Sequence, residues 1–163
     1  MESVLGISLG TRQVGIAILR NNELVDWHLR SFPAQWSKNK LKKIIGEIDT
    51  LIHDHSVKII AVKIPGMLPS FRGFTQLIGA LNVLLERKGI KAEYYTLTDI
   101  QEHFSPEKKI YKDTIAAVLT DKHPELLTIY SKGKEKRDRY YGKIFDAVAA
   151  ACLLQQEPNL DRK

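Results

Sequence analysis

The sequence predicts an α/β domain: a mixed five-stranded sheet, with an antiparallel three-strand meander first, βαβ alternation after it, and helices on both faces. Three observations carry this. Residues 3–10, 13–20 and 24–32 are three β-like runs separated only by short turns. Two further apolar runs, 57–64 and 91–97, are each preceded by a segment with apolar residues at helical spacing. The last long segment, 142–156, is rich in alanine. Strands joined by turns and then strands alternating with helices are the pattern of a mixed sheet covered on two sides.

The elements follow in order. The first two strands meet at Gly10-Thr11-Arg12, where Gly10 offers the positive φ of a tight turn. Asn21-Asn22 reads as the next turn, into a third strand over 24–32. Ser37 is an N-cap candidate for a helix whose Leu41, Ile44, Ile45, Ile48, Leu51 and Ile52 form one apolar stripe. The other face of that helix carries Lys38, Lys40, Lys42 and Lys43. The run 57–64 is apolar almost throughout and ends at Pro65, as a strand covered on both faces does. A helix over 71–88 turns Phe74, Leu77, Ile78, Leu81, Leu84 and Leu85 inward and breaks at Gly89. Residues 91–97 form the fifth strand. Ser105-Pro106 starts a helix with Ile115, Val118 and Leu119 inward, ending before Pro124. Residues 131–139, SKGKEKRDR, read as a charged loop, and 142–156 as the final helix, whose alanines allow close approach to a sheet.

With 163 residues the chain supports one domain, 1–163, with a proper core. It is 44% hydrophobic and 27% charged, and no run of 18 apolar residues exists to cross a membrane. The opening MESVLG lacks the basic and apolar stretches of a secretory signal. One cysteine, Cys152, rules out an internal disulfide framework and fits a reducing cytoplasm; its Ala/Leu surroundings make it a small core residue. The net charge of +6 permits a polyanionic partner without requiring one.

The opening VLGISLGTRQVGIAIL resembles the first strands of the RuvC Holliday-junction resolvases and the related YqgF-type proteins, which read roughly Gly-Ile-Asp-x-Gly-Thr-Arg-x-x-Gly. Gly6, Ile7, Gly10, Thr11, Arg12 and Gly15 fit, and Ser8 stands in the Asp position. GALNVLLERKGIKAEYY, from Gly79, is similar to the helix and strand that follow in that family, and KIFDAVAAACLLQ, from Lys143, to its last helix. The likeness spans nearly the whole chain and implies an RNase H-like fold.

It also implies a chemistry, metal-assisted phosphodiester hydrolysis. In that family carboxylates from the first strand, the fourth strand and the last helix hold two Mg²⁺ ions about 4 Å apart. Carried over residue by residue, the four acidic positions are Ser8, Lys63, Lys143 and Asp146, so one carboxylate of four survives. An ammonium 4 Å from a divalent ion at an effective dielectric of 20 is repelled by about 8 kcal/mol, where the family has an attraction. The usual catalytic centre is therefore expected to be dismantled, with no cofactor retained. In its place a Lys63–Asp146 ion pair is expected, with Ser8 nearby, because a buried unpaired ammonium is costly.

Other residues offer further chemistry. Asp99 and Glu102 follow the fifth strand, where they can rebuild a Mg²⁺ or Mn²⁺ site with Asp146 or serve only as a helix-start acid and a surface acid. His53-Asp54-His55 has metal-ligand residue types, but imidazoles two apart on a helix end point to different faces. Lys132, Lys134, Lys136, Arg137 and Arg139 beside Tyr140 and Tyr141 suit phosphate contacts and base stacking, as does Arg12 in the hairpin turn. Trp27 and Trp36 read as packing residues.

The expected function is a RuvC-like domain that binds DNA or RNA, branched or duplex, without cutting it, and that can form homodimers. The alternatives are a metal-dependent structure-selective endonuclease with a rearranged site, and a protein-interaction or dimerisation module. Ser8-Leu9-Gly10-Thr11 is also similar to the Asp-x-Gly-Thr turn of actin-like and sugar-kinase ATPases. Those need two lobes to enclose ATP, which 163 residues are too few to supply.

Overall fold

The strands form where the sequence alternates or runs apolar, and their order follows from the hairpins. The computed structural model describes residues 3–65, 72–104, 112–136 and 141–156. β1 (Ser3–Ser8), β2 (Gln13–Arg20) and β3 (Glu23–Ser31) make the antiparallel meander. β4 (Val57–Lys63) lies parallel to β1, and β5 (Lys91–Tyr95) parallel to β4. The sheet order is β3-β2-β1-β4-β5, so the two apolar strands β1 and β4 sit at its centre. Asn21 and Asn22, with φ of 54° and 66°, supply the left-handed pair that links β2 to β3.

One face of the sheet is covered by α1 (Lys38–Asp54) and α2 (Arg72–Lys88). Leu5, Ile7, Val14, Ile16, Ile18, Ile60 and Val62 meet Ile44, Ile48, Ile52, Phe74, Leu77 and Leu81 there. Each such buried Leu or Ile contributes about 1.5–3 kcal/mol. Ser37 caps α1 through its side-chain oxygen, which accepts from the Lys40 amide. The helix does not present all its lysines outward. Lys40 is buried, and its ammonium donates to the Ala34 carbonyl at 2.6 Å.

The other face is covered by α6 (Gly142–Gln156), which is itself backed by α3 (Leu97–Phe104) and α4 (Lys112–Lys122). Because α6 lies between two layers, it is apolar round most of its circumference from Ala147 to Leu154. Ala147, Val148, Ala149, Ala150 and Ala151 are fully buried. Its backbone touches the sheet where glycine makes room: a Cβ on Gly6 would run into the Ala147 carbonyl, and one on Gly15 into the Lys143 carbonyl.

Several expectations need correction. Gly10 does not have positive φ; its lack of a side chain matters for space instead. β5 ends at Tyr95 rather than at residue 97, because Thr96 and Asp99 cap a short helix, α3, that starts at Leu97 and that the sequence pattern does not predict. Val118 of α4 is exposed, whereas Ile115 and Leu119 turn inward as expected. Residues 131–136 are not loop: they belong to α5 (Leu127–Lys136), which follows a 3₁₀ turn at Pro124–Leu126. The Ser105-Pro106 helix start, and Phe71 at the expected start of α2, lie outside the described residues.

Candidate functional site

Four strands deliver one lateral row of residues to the α6 face at the ends of β1 and β4. Ser8 pairs in register with Gly15 on β2 and Lys63 on β4, and Lys63 pairs with Tyr95 on β5. The row lies at a strand end because Leu9, Ile64 and Pro65 leave the ladder just beyond it; Leu9 still donates its amide to the Lys63 carbonyl at 3.2 Å.

Helix α6 closes over this row. Lys143 and Asp146, three apart, share one helix face. Lys143 lays its backbone over Gly15 and its ammonium against the turn after β1, where a Cβ on Gly10 would lie 2.7 Å from Nζ. Asp146 brings its carboxylate to the Lys63 ammonium, Nζ to Oδ2 3.5 Å. Both side chains are mostly shielded, at 16% and 12% exposure, and Ser8 is buried beneath. The ion pair expected from the sequence is thus present. The four positions Ser8, Lys63, Lys143 and Asp146 come together as expected, and they are two cations, one anion and one hydroxyl.

That donor set does not fit a pair of divalent ions. The only carboxylate of the four is already shared with an ammonium, and a second ammonium stands over the adjacent turn. Magnesium takes hard oxygen ligands whose negative charge offsets its own. Here the local charge is net positive.

The other expected site residues fall elsewhere. Asp99 accepts from the Thr96 amide (2.8 Å) and hydroxyl (3.1 Å), while the Asp99 amide donates back to that hydroxyl. It is a capping acid on α3. With Glu102, Tyr94, Tyr95, His103 and Leu153 it lines a cleft of about 370 Å³ beside β5. Among the described residues no three His, Cys, Asp or Glu side chains come together as a metal set. His53 lies beside Asp54, whereas His55 faces Asp26 on β3. Lys132 is exposed on α5, and the chain positions of Lys134 and Lys136 are helical. Arg137, Arg139 and Tyr140 lie outside the described residues. Arg12 is exposed in the β1–β2 turn, where its carbonyl accepts from the Phe32 amide at 2.7 Å.

Two features escaped the sequence reading. One is the inward turn of Lys40, whose ammonium pKa is lowered by burial and then by the neighbouring Arg12. The other is a buried contact between Cys152 Sγ and His123 Nε2, 3.7 Å apart. Burial pushes the Cys152 thiol up to about 11, so it is an inert core group, as expected, and no nucleophile. Burial also lowers the His123 pKa, and this outweighs the opposing pull of Glu125.

In sequence the chain matches no protein-family model and none of the curated proteins. In structure it is similar to RuvC from Thermus thermophilus. The RuvC solved in complex with a Holliday junction substrate superposes with a TM-score of 0.69 at 16% identity, covering 94% of this chain and 92% of that one. A second T. thermophilus RuvC structure gives 0.68 at 15% identity, over 93% and 92%. No helix among the described residues is long and apolar enough to cross a membrane. Strand order, the parallel β1–β4 pair and α6 over its centre, together with coverage of nearly both chains, give this chain the RuvC-like form of the RNase H-like fold.

Proposed function

We propose that the chain is a RuvC/YqgF-like nucleic-acid-binding domain that has lost metal-dependent phosphodiester cleavage. The observation that carries this is the Lys63–Asp146 contact of 3.5 Å. By the residue-by-residue resemblance, an ammonium stands at one of the family's metal-holding acidic positions, and it engages the acid kept at another. Binding is supported by the net charge of +6, and by the resemblance over nearly full length to a RuvC that was solved on a four-way junction. The ligand is DNA or RNA, branched or duplex, and the working unit is a monomer or a homodimer in a reducing cytoplasm, where a buried free thiol persists.

The test is a titration of labelled four-way junction, nicked duplex and single strand, with and without Mg²⁺ or Mn²⁺. Retardation that falls steeply with salt, with no cleavage products in either metal, is expected. Metal-dependent cleavage that disappears in Asp146→Asn establishes instead a structure-selective endonuclease with a rearranged site. Absence of binding at low salt leaves the protein-interaction or dimerisation module.

A further inference from the structure

We propose that His123 is an acid-released latch: its neutral ring pins the layer formed by residues 112–136 onto α6, and protonation lets that layer lift while the sheet and α6 stay folded. This goes beyond the nucleic-acid reading and does not depend on it.

The ring sits where three elements meet. Its residue closes α4 and opens the 3₁₀ turn: the His123 amide donates to the Leu119 carbonyl at 2.8 Å, and its carbonyl accepts from the Leu126 amide at 3.0 Å. The backbone is thus fixed on both sides, and the side chain is aimed inward, at 4% exposure. Nε2 meets Cys152 Sγ of α6 at 3.7 Å, and Nδ1 meets Glu125 Oε1 of the turn at 3.6 Å. Around it the contact is apolar and aromatic. Ile115, Leu119 and Leu126 enter the core around α6, and the Tyr130 ring stands edge-on to Phe145 at 6.3 Å.

A neutral ring satisfies both neighbours. Nδ1–H donates to the carboxylate, and Nε2 accepts from the thiol, which burial keeps protonated. A second proton has to go on Nε2, where it meets a sulfur that accepts only weakly, and the thiol hydrogen must turn away. It also places a charge in a buried layer, which is costly. Among the described residues, the charged or titratable groups at the ring are Glu125 on the turn, Lys122 on α4 and Cys152 on α6. Glu125 favours the charged ring, but at 37% exposure water weakens its pull, and Lys122 opposes it. Lifting the layer frees the ring to take its proton in water, so falling pH pulls the equilibrium toward the open form. This layer yields first because α4, the turn and α5 pack mainly on α6 and on one another, whereas the sheet is covered on both faces.

Lifting the layer uncovers Cys152, the chain's single thiol, so its reactivity reads the latch directly. The experiment follows its reaction with a dipyridyl disulfide from neutral to mildly acid pH. Each rate is divided by that of the urea-unfolded chain at the same pH, which removes the thiol's own ionisation, in the regime where the rate is proportional to reagent and reports the open fraction. The normalised wild-type rate is expected to rise as pH falls below about 6.5, by at most about tenfold per unit for one proton. His123→Gln is expected to be flat. Glu125→Gln keeps the ring but removes the carboxylate that steadies its charged form, so its rise is expected to continue to lower pH before levelling. Protection of the β1 and β4 amides against hydrogen exchange is expected to hold throughout. A flat wild-type rate, a rise matched by His123→Gln, or loss of β1 and β4 protection in step with Cys152 labelling overturns the latch. If His123→Gln does not fold, Glu125→Gln decides, and a profile identical to wild type overturns it.

Discussion

The two faces of the sheet solve the same packing problem in opposite ways. Under α1 and α2, large branched side chains meet large side chains, and the helices stand off on a dry layer of Leu, Ile, Val and Phe. Under α6, small residues meet small residues: Gly6, Gly15, Ala17 and Ala61 face Ala147 and Ala151, so backbone nearly touches backbone. Among the described residues, the first face buries one charged side chain, that of Lys40 on α1. The second carries Ser8, Lys63, Asp146, His123 and Cys152, all buried or nearly so. The difference teaches that close approach, rather than apolar bulk, is what lets a helix bring a carboxylate down to a strand end. A face packed with leucine would hold α6 too far out for Asp146 to reach Lys63.

Substitutions on the two faces break or sharpen this contrast. The largest effect is expected at Gly15→Val, which drives a side chain into the Lys143 backbone. It should cost about 4 kcal/mol or abolish folding, whereas Gly79→Ala, on an open part of α2, should hold or raise stability by up to about 1 kcal/mol. Chemical denaturation of both settles whether contact or glycine content matters. Next comes Leu77→Ala on the dry face, where a fully buried side chain leaves a cavity and about 3 kcal/mol is lost. Unlike Gly15→Val, it should leave Lys63 and Asp146 where they are.

Asp146→Asn follows, at about 2 kcal/mol. It strands a largely shielded ammonium, and the loss is tempered by the partial exposure that lets Lys63 reach water. Lys63→Met together with Asp146→Leu should recover most of it, and a double-mutant cycle reads the coupling. If Asp146→Asn alone leaves the denaturation midpoint unchanged, the pair holds nothing together.

The smallest effect concerns pH. His123 has a lowered pKa in the folded chain, so the unfolded chain takes up the proton first as pH falls. Its contribution to stability is complete above the unfolded value of about 6.5 and is lost as pH drops through the folded value. The melting temperature should therefore fall below pH 6.5 more steeply for wild type than for His123→Gln. Equal slopes in the two proteins contradict this account.

Much of this was legible in the chain itself. The β-runs and the apolar stripe of α1 follow from side-chain period, which is a local property. The loss of acids at Ser8, Lys63 and Lys143 could be read because the resemblance assigned positions to them. From there charge alone led to the Lys63–Asp146 pair. What was misread depended on contacts. Residues 131–136 have the composition of a solvated loop but continue a helix begun at Leu127. The Thr96–Asp99 cap ends β5 two residues early, because reciprocal side-chain bonds to the backbone outweigh a β-like composition.

The sequence by itself determined the order of the five strands and of the helices α1, α2, α4 and α6, the balance of charge and the poverty of acids at the family's metal positions, since each depends on residue type and spacing along one chain. Only the tertiary structure decided that Lys40 turns inward onto the Ala34 carbonyl, that Lys143 stands over Gly10, and that His123 meets Cys152. The last two pairs join residues 133 and 29 positions apart. They exist because glycine and alanine let α6 settle onto the sheet, and because the β1–β2 turn is tied to the segment that leads into α1.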